Sequence, residues 1–339
     1  MPDRIAIIGC GGIAHNHAPH WQSAGAQIAC AVDAEPARAD AFAEHFSISH
    51  VFTDWQQAYA SGYADIADIC LPHALHAPAA VAAADAGLHV FVEKPMATTL
   101  AEADAMVEAC ERAGRVIAVR HNQRFSGDRR RIKQLVESGA LGDLYLCRSW
   151  WVQGPGYITA RPWYGHRNQG HGGVVLGLGI HHLDLLRWIA GEVERVAAYG
   201  MNRVIGGQGM DAEDTAVLLF RFRSGALGDM MMTNGDVTNR YAPDAEGLEF
   251  HGTKGWVSTR GGLHGVIPAV LGDGDVHPVP TAPVQENEFE MMLRCVRTGE
   301  EPLTHGGDIR ATVELAVAAY AAMDKDASVA LPLIERPRP

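Results

Sequence analysis

The stretch VFVEKPMA, Val90 to Ala97, ends an apolar run of strand type with Glu93, Lys94 and Pro95 side by side. An ammonium delivered at the end of a core strand, with a carboxylate before it and a ring-locked residue after it, suits hydrogen bonding to an oxygen that gains charge. The same three residues also read as a structural Lys–Glu ion pair. A second cluster lies near the N-terminus, where GCGGIA sets Gly9, Gly11 and Ala14 in the pattern G-x-G-x-x-[G/A], with Gly12 and Ile13 between them. There the first glycine permits a tight turn and the second lets backbone approach a pyrophosphate. The small third residue allows close helix–strand packing, and the helix N-terminus faces the phosphates. Asp33 closes the next apolar run, QIACAVD. A carboxylate at that point accepts hydrogen bonds from both ribose hydroxyls and repels a 2′-phosphate, so NAD is expected over NADP. Arg38, about one helical turn on, is the residue best placed to weaken that preference. In LPHALHAP, Leu71 to Pro78, the residues Leu71, Pro72 and His76 are read as cofactor contacts, together with Glu93 and Lys94. Helix capping and packing are the alternative for His73 and His76.

These groups need a scaffold that brings them to one edge. The first 120 residues alternate short apolar runs with helical patterns. RIAIIG, QIACAVD, DIADICLP, LHVFVEKP and RVIAVR read as strands. Helices are expected over 12–24, 36–46, 74–86 and 99–113. Strand and helix in alternation mean a parallel sheet covered on both faces. After about His121 the texture changes to longer strands, in DLYLCRSWWV, ERVAAYGM, DTAVLLFRF, ALGDMMMT and GLEFHGT, with helices expected near 129–138, 180–189, 287–297 and 308–323. The expected fold is α/β: a dinucleotide-binding domain over residues 1–121, then an α+β domain over 122–339 with a large, mostly antiparallel sheet.

Composition sets the class. A chain of 339 residues that is 47% hydrophobic and 20% charged is ordinary for a globular protein of two domains. Its net charge of −12 argues against nucleic acid as a partner. No apolar run approaches the ~20 residues of a membrane span. A first strand from about Arg4 leaves no room for a signal peptide. The six cysteines lack C-x-x-C spacing, and the 17 histidines lack metal-ligand spacing. A cytoplasmic protein without a metal site is expected.

Together, the GxGxxA start, the acid after the second strand and E-K-P after a later one resemble the Gfo/Idh/MocA family, named for glucose–fructose oxidoreductase and inositol dehydrogenase. The resemblance runs end to end. It takes in HNQRF (His121–Phe125), GGVVLGLGIHHLDLLRWIAGE (Gly172–Glu192), GLEFHGTKG and the closing ASVALPL. It implies a Rossmann domain, NAD(P)-dependent oxidoreduction of sugars, polyols or their derivatives, and assembly as dimers or tetramers. It also implies a cis bond before Pro95 and a catalytic pair, Lys94 and His181. The family's pattern G-G-G-x-x-x-D-x-G-x-H-x-x-D, aligned on Gly179, His181 and Asp184, puts Gly177 where an Asp partner of the histidine belongs. His181 then acts alone as the base, Lys94 is the base, or the chain binds without turnover. Asp184 is read as a helix cap or brace.

The segment WWVQGPGYITARPWYGHRNQGHGG supplies flat rings and donors for a polyhydroxylated ligand. Lys94, Arg124, Trp163, Arg167 and His181 are the expected substrate contacts; a loop packing its own aromatics is the alternative. The expected activity is hydride transfer between nicotinamide and a secondary hydroxyl or carbonyl of a sugar, sugar derivative or cyclitol. A non-catalytic NAD- or sugar-sensing protein is the alternative from another class, beside an NAD-retaining lyase, epimerase or glycosidase. In DTAVLLFRF and ALGDMMMT both strand faces are apolar, which points to a homo-oligomer, dimer or tetramer, formed through this sheet face.

Overall fold

A computed structural model of the chain describes residues 3–156, 162–167, 172–236 and 245–333, with the side chains of residues 162 and 163 outside that set. The chain divides into two compact units. The first holds residues 1–122 and 285–313; the second holds 123–284 and 314–339. Residues 285–313, expected in the second domain, pack with the first because Phe289 sets its ring against Trp21 and Phe91 at centroid distances of 4.9 and 5.3 Å.

In the first unit six strands form one parallel sheet: β1 (Arg4–Ile8), β2 (Gln27–Val32), β3 (His50–Phe52), β4 (Ile66–Ile69), β5 (His89–Val92) and β6 (Ile117–Val119). Their order is β3-β2-β1-β4-β5-β6, which places a switch in strand order between β1 and β4. Ligands of such sheets bind beyond the carboxyl ends of the strands at that switch. The core strands are continuous apolar runs because helices cover both faces. Those helices are α1 (Gly12–Ser23), α2 (Pro36–Phe46), α3 (Trp55–Ala60), α4 (His76–Asp85) and α5 (Leu100–Ala113). Local chemistry sets their ends. Pro36 opens α2, and Thr99 with Glu102 forms a capping box on α5, which stops at Gly114 in the left-handed region. The short pair β3 and α3 was not expected. Neither offers a sustained apolar period, and no residue of β3 is fully buried.

The second unit is built on a nine-stranded sheet. Its strands are β7 (Leu144–Val152), β8 (Val193–Met201), β9 (Thr215–Phe222), β10 (Leu227–Thr233), β11 (Glu246–Gly252), β12 (Gly255–Ser258), β13 (His264–Val266), β14 (His277–Pro278) and β15 (Val329–Ala330). The order is β14-β13-β12-β11-β7-β10-β9-β8-β15, antiparallel except where β10 runs parallel to β7. Helices α6 (Gly127–Glu137) and α7 (Ile180–Ala190) cover one face, burying Ile132, Leu135, Leu183 and Leu186 with Met230, Met232, Leu218 and Phe220. A short helix, α8 (Pro268–Leu271), precedes α9 (Glu288–Thr298) and α10 (Gly306–Lys325), and the division between the units falls within α10. Burial along β9 alternates strictly. Ala216, Leu218, Phe220 and Phe222 are buried, while the apolar Val217 and Leu219 stay exposed on the opposite face.

Candidate functional site

In the first unit the loops after β1, β2, β4 and β5 converge on the strand-order switch. Gly9 has φ +95°, and a Cβ there would lie 2.7 Å from the carbonyl oxygen of Cys70, so the turn after β1 admits only glycine. Beside it, Cβ atoms on Gly11 or Gly12 would meet nothing within 4 Å. Open space therefore lies above the N-terminus of α1, whose first amides have no side-chain cap. Ile13 is exposed and Ala14 fully buried, as a helix end with a ligand-facing side and a packed side requires. Asp33 follows β2. Its carboxylate accepts from the amides of Cys10 (3.0 Å) and Glu35 (2.9 Å), and the Arg38 guanidinium forks onto it with Nη1 3.3 Å from each oxygen. The open glycine cradle and the acid at the end of β2 fit NAD.

Leu71 and Pro72 lie in the loop after β4, half-buried and exposed. His76 is fully buried, with Nδ1 2.8 Å from the Pro95 carbonyl oxygen and Nε2 2.8 Å from that of Leu71. A neutral imidazole has one N–H and donates to one of these carbonyls; enclosed between both, His76 braces the loops after β4 and β5.

Lys94 follows β5, half-buried, with a cis peptide to Pro95. Glu93 beside it is nearly buried. One oxygen accepts the Lys94 backbone amide at 3.0 Å; the other lies 3.0 Å from His17 Nε2 and 2.9 Å from Arg120 Nη1. Burial alone would raise this carboxyl, but the bond from His17 and the charges of Arg120 and Lys94 hold it well below the usual carboxylate range. The sequence reading missed His17, Asp68 and Arg120. An aspartate inside the buried strand IADI was the available signal, because such a charge must find a partner.

In the second unit His181 sits in the first turn of α7, 8% exposed, its ring stacked near Trp151 with centroids 6.2 Å apart. A π-helical turn, Val175–Gly179, leads into it; such turns concentrate at functional sites. Glu213 anchors the start of that segment by accepting from the amides of Gly173 (3.0 Å) and Val175 (3.1 Å) and from the Tyr320 hydroxyl (2.8 Å). Burial pushes its carboxyl up. A Cβ on Gly177 would overlap the ring of Tyr164, whose hydroxyl donates to the Gly177 carbonyl at 2.8 Å. Position 177 therefore has no room for a carboxylate.

Arg124 is 1% exposed and grips Asp184 in a two-pronged pair, Nε to Oδ2 at 2.8 Å and Nη2 to Oδ1 at 2.6 Å, with its guanidinium over the Trp188 ring. It fastens α7 to the segment before α6 through Asp184. Arg167 is exposed, and its amide donates to Asp211 Oδ1 at 2.9 Å. The side chain of Trp163 and residues 168–171, with Asn168, Gln169 and His171, lie outside the described residues.

Comparison with known proteins accounts for both units. The family model described as "Oxidoreductase family, NAD-binding Rossmann fold" matches residues 4–121, and the GFO/IDH/MocA C-terminal domain matches residues 129–258. The chain belongs to the Gfo/Idh/MocA oxidoreductase family. Among its relatives, D-apiose dehydrogenase of Paraburkholderia graminis is 29% identical over 98% of this chain and 91% of that protein. Myo-inositol 2-dehydrogenase of Thermotoga maritima is 28% identical over 97% and 98%. The crystal structure of the WlbA dehydrogenase from Bordetella pertussis, in complex with NADH and UDP-GlcNAcA, superposes with a TM-score of 0.84 at 28% identity, covering 98% of this chain and 100% of that one. As a member of this family the chain is an oxidoreductase with an NAD-binding Rossmann domain. Among the described residues no helix is long and apolar enough to cross a membrane.

Proposed function

We propose that this family member oxidises a secondary hydroxyl of a sugar, sugar derivative or cyclitol, or reduces the corresponding carbonyl, with NAD preferred to NADP. The carrying observation is Lys94, fixed by its own amide to a buried, charge-locked Glu93 at the carboxyl end of β5. The names of the relatives, dehydrogenases of apiose and inositol, support the substrate class. Bound NAD supplies the acceptor for the hydride that leaves the substrate carbon. In this reading the Lys94 ammonium donates to the reacting oxygen and stabilises the charge it gains, while an imidazole nitrogen of His181 takes the hydroxyl proton. Release of NADH across a panel of sugars and polyols tests the reading. Net NADH with at least one member is the expected result.

Gly177 favours a second reading, binding without turnover, because the family's aspartate is missing there and Tyr164 fills its place. Binding of NADH and a sugar with no product from any panel member would establish that reading. Product without net NADH would mean that the hydride returns within one turnover.

The same proposal extends to assembly. Tyr199, Val217 and Met231 form one row across the uncovered sheet face. Leu219 is in register with Asp229 and Arg148, and Leu227 with Leu146. Tyr199, Val217, Leu219, Leu227 and Met231 all remain exposed. Burial of this face between two copies, as a dimer or tetramer, supplies the cover that such a patch lacks. Light scattering at the monomer mass of 36.4 kDa would overturn this part. The six cysteines, buried and unpaired, support a reducing compartment such as the cytoplasm.

A further inference from the structure

The first unit contains a buried polar chain that the catalytic reading uses only at its Glu93 end. His17, on the inner face of α1, is completely buried. Its Nδ1 lies 2.9 and 3.1 Å from the two oxygens of Asp68 and 3.3 Å from Cys70 Sγ. Its Nε2 lies 3.0 Å from Glu93 Oε1. Trp21 Nε1 donates to Asp68 at 2.7 Å. Arg120 closes the far end, on Glu93 at 2.9 Å, on Glu288 at 3.2 Å and on Asn16 at 3.2 Å. Phe91 and Phe289 seal the sides, with ring centroids 6.1 and 5.2 Å from that of His17.

A neutral imidazole has one N–H, so it would turn a lone pair toward one of these carboxylates. An imidazolium donates to both. Burial opposes that charge, but Asp68 outweighs it and holds the imidazole well above its ordinary range. Buried charges in a row contribute little to stability compared with apolar residues of the same volume, so stability alone gives a weak account of them. Their placement gives a stronger one. The chain starts on β4, crosses α1 less than two turns after the Gly11–Ala14 cradle, and ends on the Lys94 amide through Glu93. It ties together the three segments whose ends frame the switch in strand order.

We propose that His17, held between Asp68 and Glu93, is a positioning residue that fixes Lys94 relative to the phosphate-binding end of α1. This rests on the reading of Lys94 as the group that polarises the reacting oxygen. Replacing His17 then removes one of the two donors on Glu93 Oε1 and leaves Arg120 alone to hold it, so Glu93 and the Lys94 amide it accepts shift while the Gly9–Ala14 cradle and Asp33 keep their places.

The test uses the full-length protein in three measurements. In nitrogen-resolved NMR of the unmodified protein, His17 should show two protected N–H groups at neutral pH. A single N–H there overturns the proposal without reference to activity. In H17Q, kcat should fall about 10- to 100-fold, as for a misplaced catalytic group, while the Kd for NADH stays within about twofold. Should H17Q fail to fold, D68N, which weakens one end of the chain only, is expected to lower kcat in the same direction with NADH affinity kept. Unchanged kcat in the folded variant, or equal losses of NADH affinity and kcat, overturns the proposal. If K94A also retains kcat, the reading of Lys94 has failed; if K94A loses it and H17Q does not, only the positioning role has. His17 Nδ1, Asp68 and Cys70 offer donors within 4.8 Å of one another. Stoichiometric zinc by elemental analysis would therefore overturn the proposal by making them ligands.

Discussion

The Tyr164 ring fills the space that a side chain at residue 177 would need, and its hydroxyl donates to the Gly177 carbonyl at 2.8 Å. A side chain at 177 and the Tyr164 ring in this position cannot share that space. Gly177→Asp alone should destabilise the protein by about 1–3 kcal/mol through overpacking. Combining it with Tyr164→Ala should cost less than the two single changes summed, a coupling that urea unfolding of the four-member cycle measures. Strict additivity would mean that the ring does not exclude the carboxylate.

In the proposed reading His181 is the base, and residue 177, a glycine, supplies no carboxylate to assist it. His181→Ala should lower kcat/KM by at least about 10²-fold at every pH tested, the scale of a lost acid–base group. Near-full turnover across pH would make Lys94 the base.

Arg124 and Asp184 are each 1% exposed and paired at 2.6 Å. Arg124→Ala leaves a buried carboxylate uncompensated and should cost about 3–5 kcal/mol in urea unfolding. Replacing both residues by apolar ones of similar volume should recover most of that loss. A rise in substrate KM with stability unchanged would return Arg124 to the substrate contacts.

Much of this architecture is legible in the sequence. The apolar runs of β1, β2, β4 and β5 are too long and too closely spaced with helical patterns to be anything but a covered parallel sheet. E-K-P marks the end of β5, and the glycine cradle marks the start of α1. The rest depends on tertiary partners. Nothing in the local sequence ties Tyr164 to Gly177, or Arg124 to Asp184 sixty residues on. His76 and Arg124 share one physical reason for being hard to read: a polar type in a motif says that a partner is needed, not whether the partner is a ligand or one of the protein's own groups. Asp68 carried the same message inside an apolar strand. β12 to β15 escaped because strands of two to four residues show too little alternation to stand out.

In the proposed preference for NAD, Asp33 and Arg38 act together. Asp33 occupies the Arg38 guanidinium at 3.3 Å and presents negative charge where a 2′-phosphate would sit. Asp33→Ala should weaken NADH binding and, by freeing Arg38 Nη1 while Nη2 stays on Glu35, tighten NADPH binding by about tenfold. Arg38→Ala added to it should remove that gain. NADPH binding as tightly as NADH to the unmodified protein would refute the preference.

The most direct test of the account is the kcat/KM of Lys94→Ala, followed as NADH formation on whichever sugar or polyol the unmodified protein oxidises best. A fall of at least about 10²-fold with NADH affinity nearly unchanged is expected of a group that acts on the developing alkoxide. A kcat/KM within a few-fold of the unmodified protein would contradict it, and would leave Glu93–Lys94–Pro95 as a structural turn.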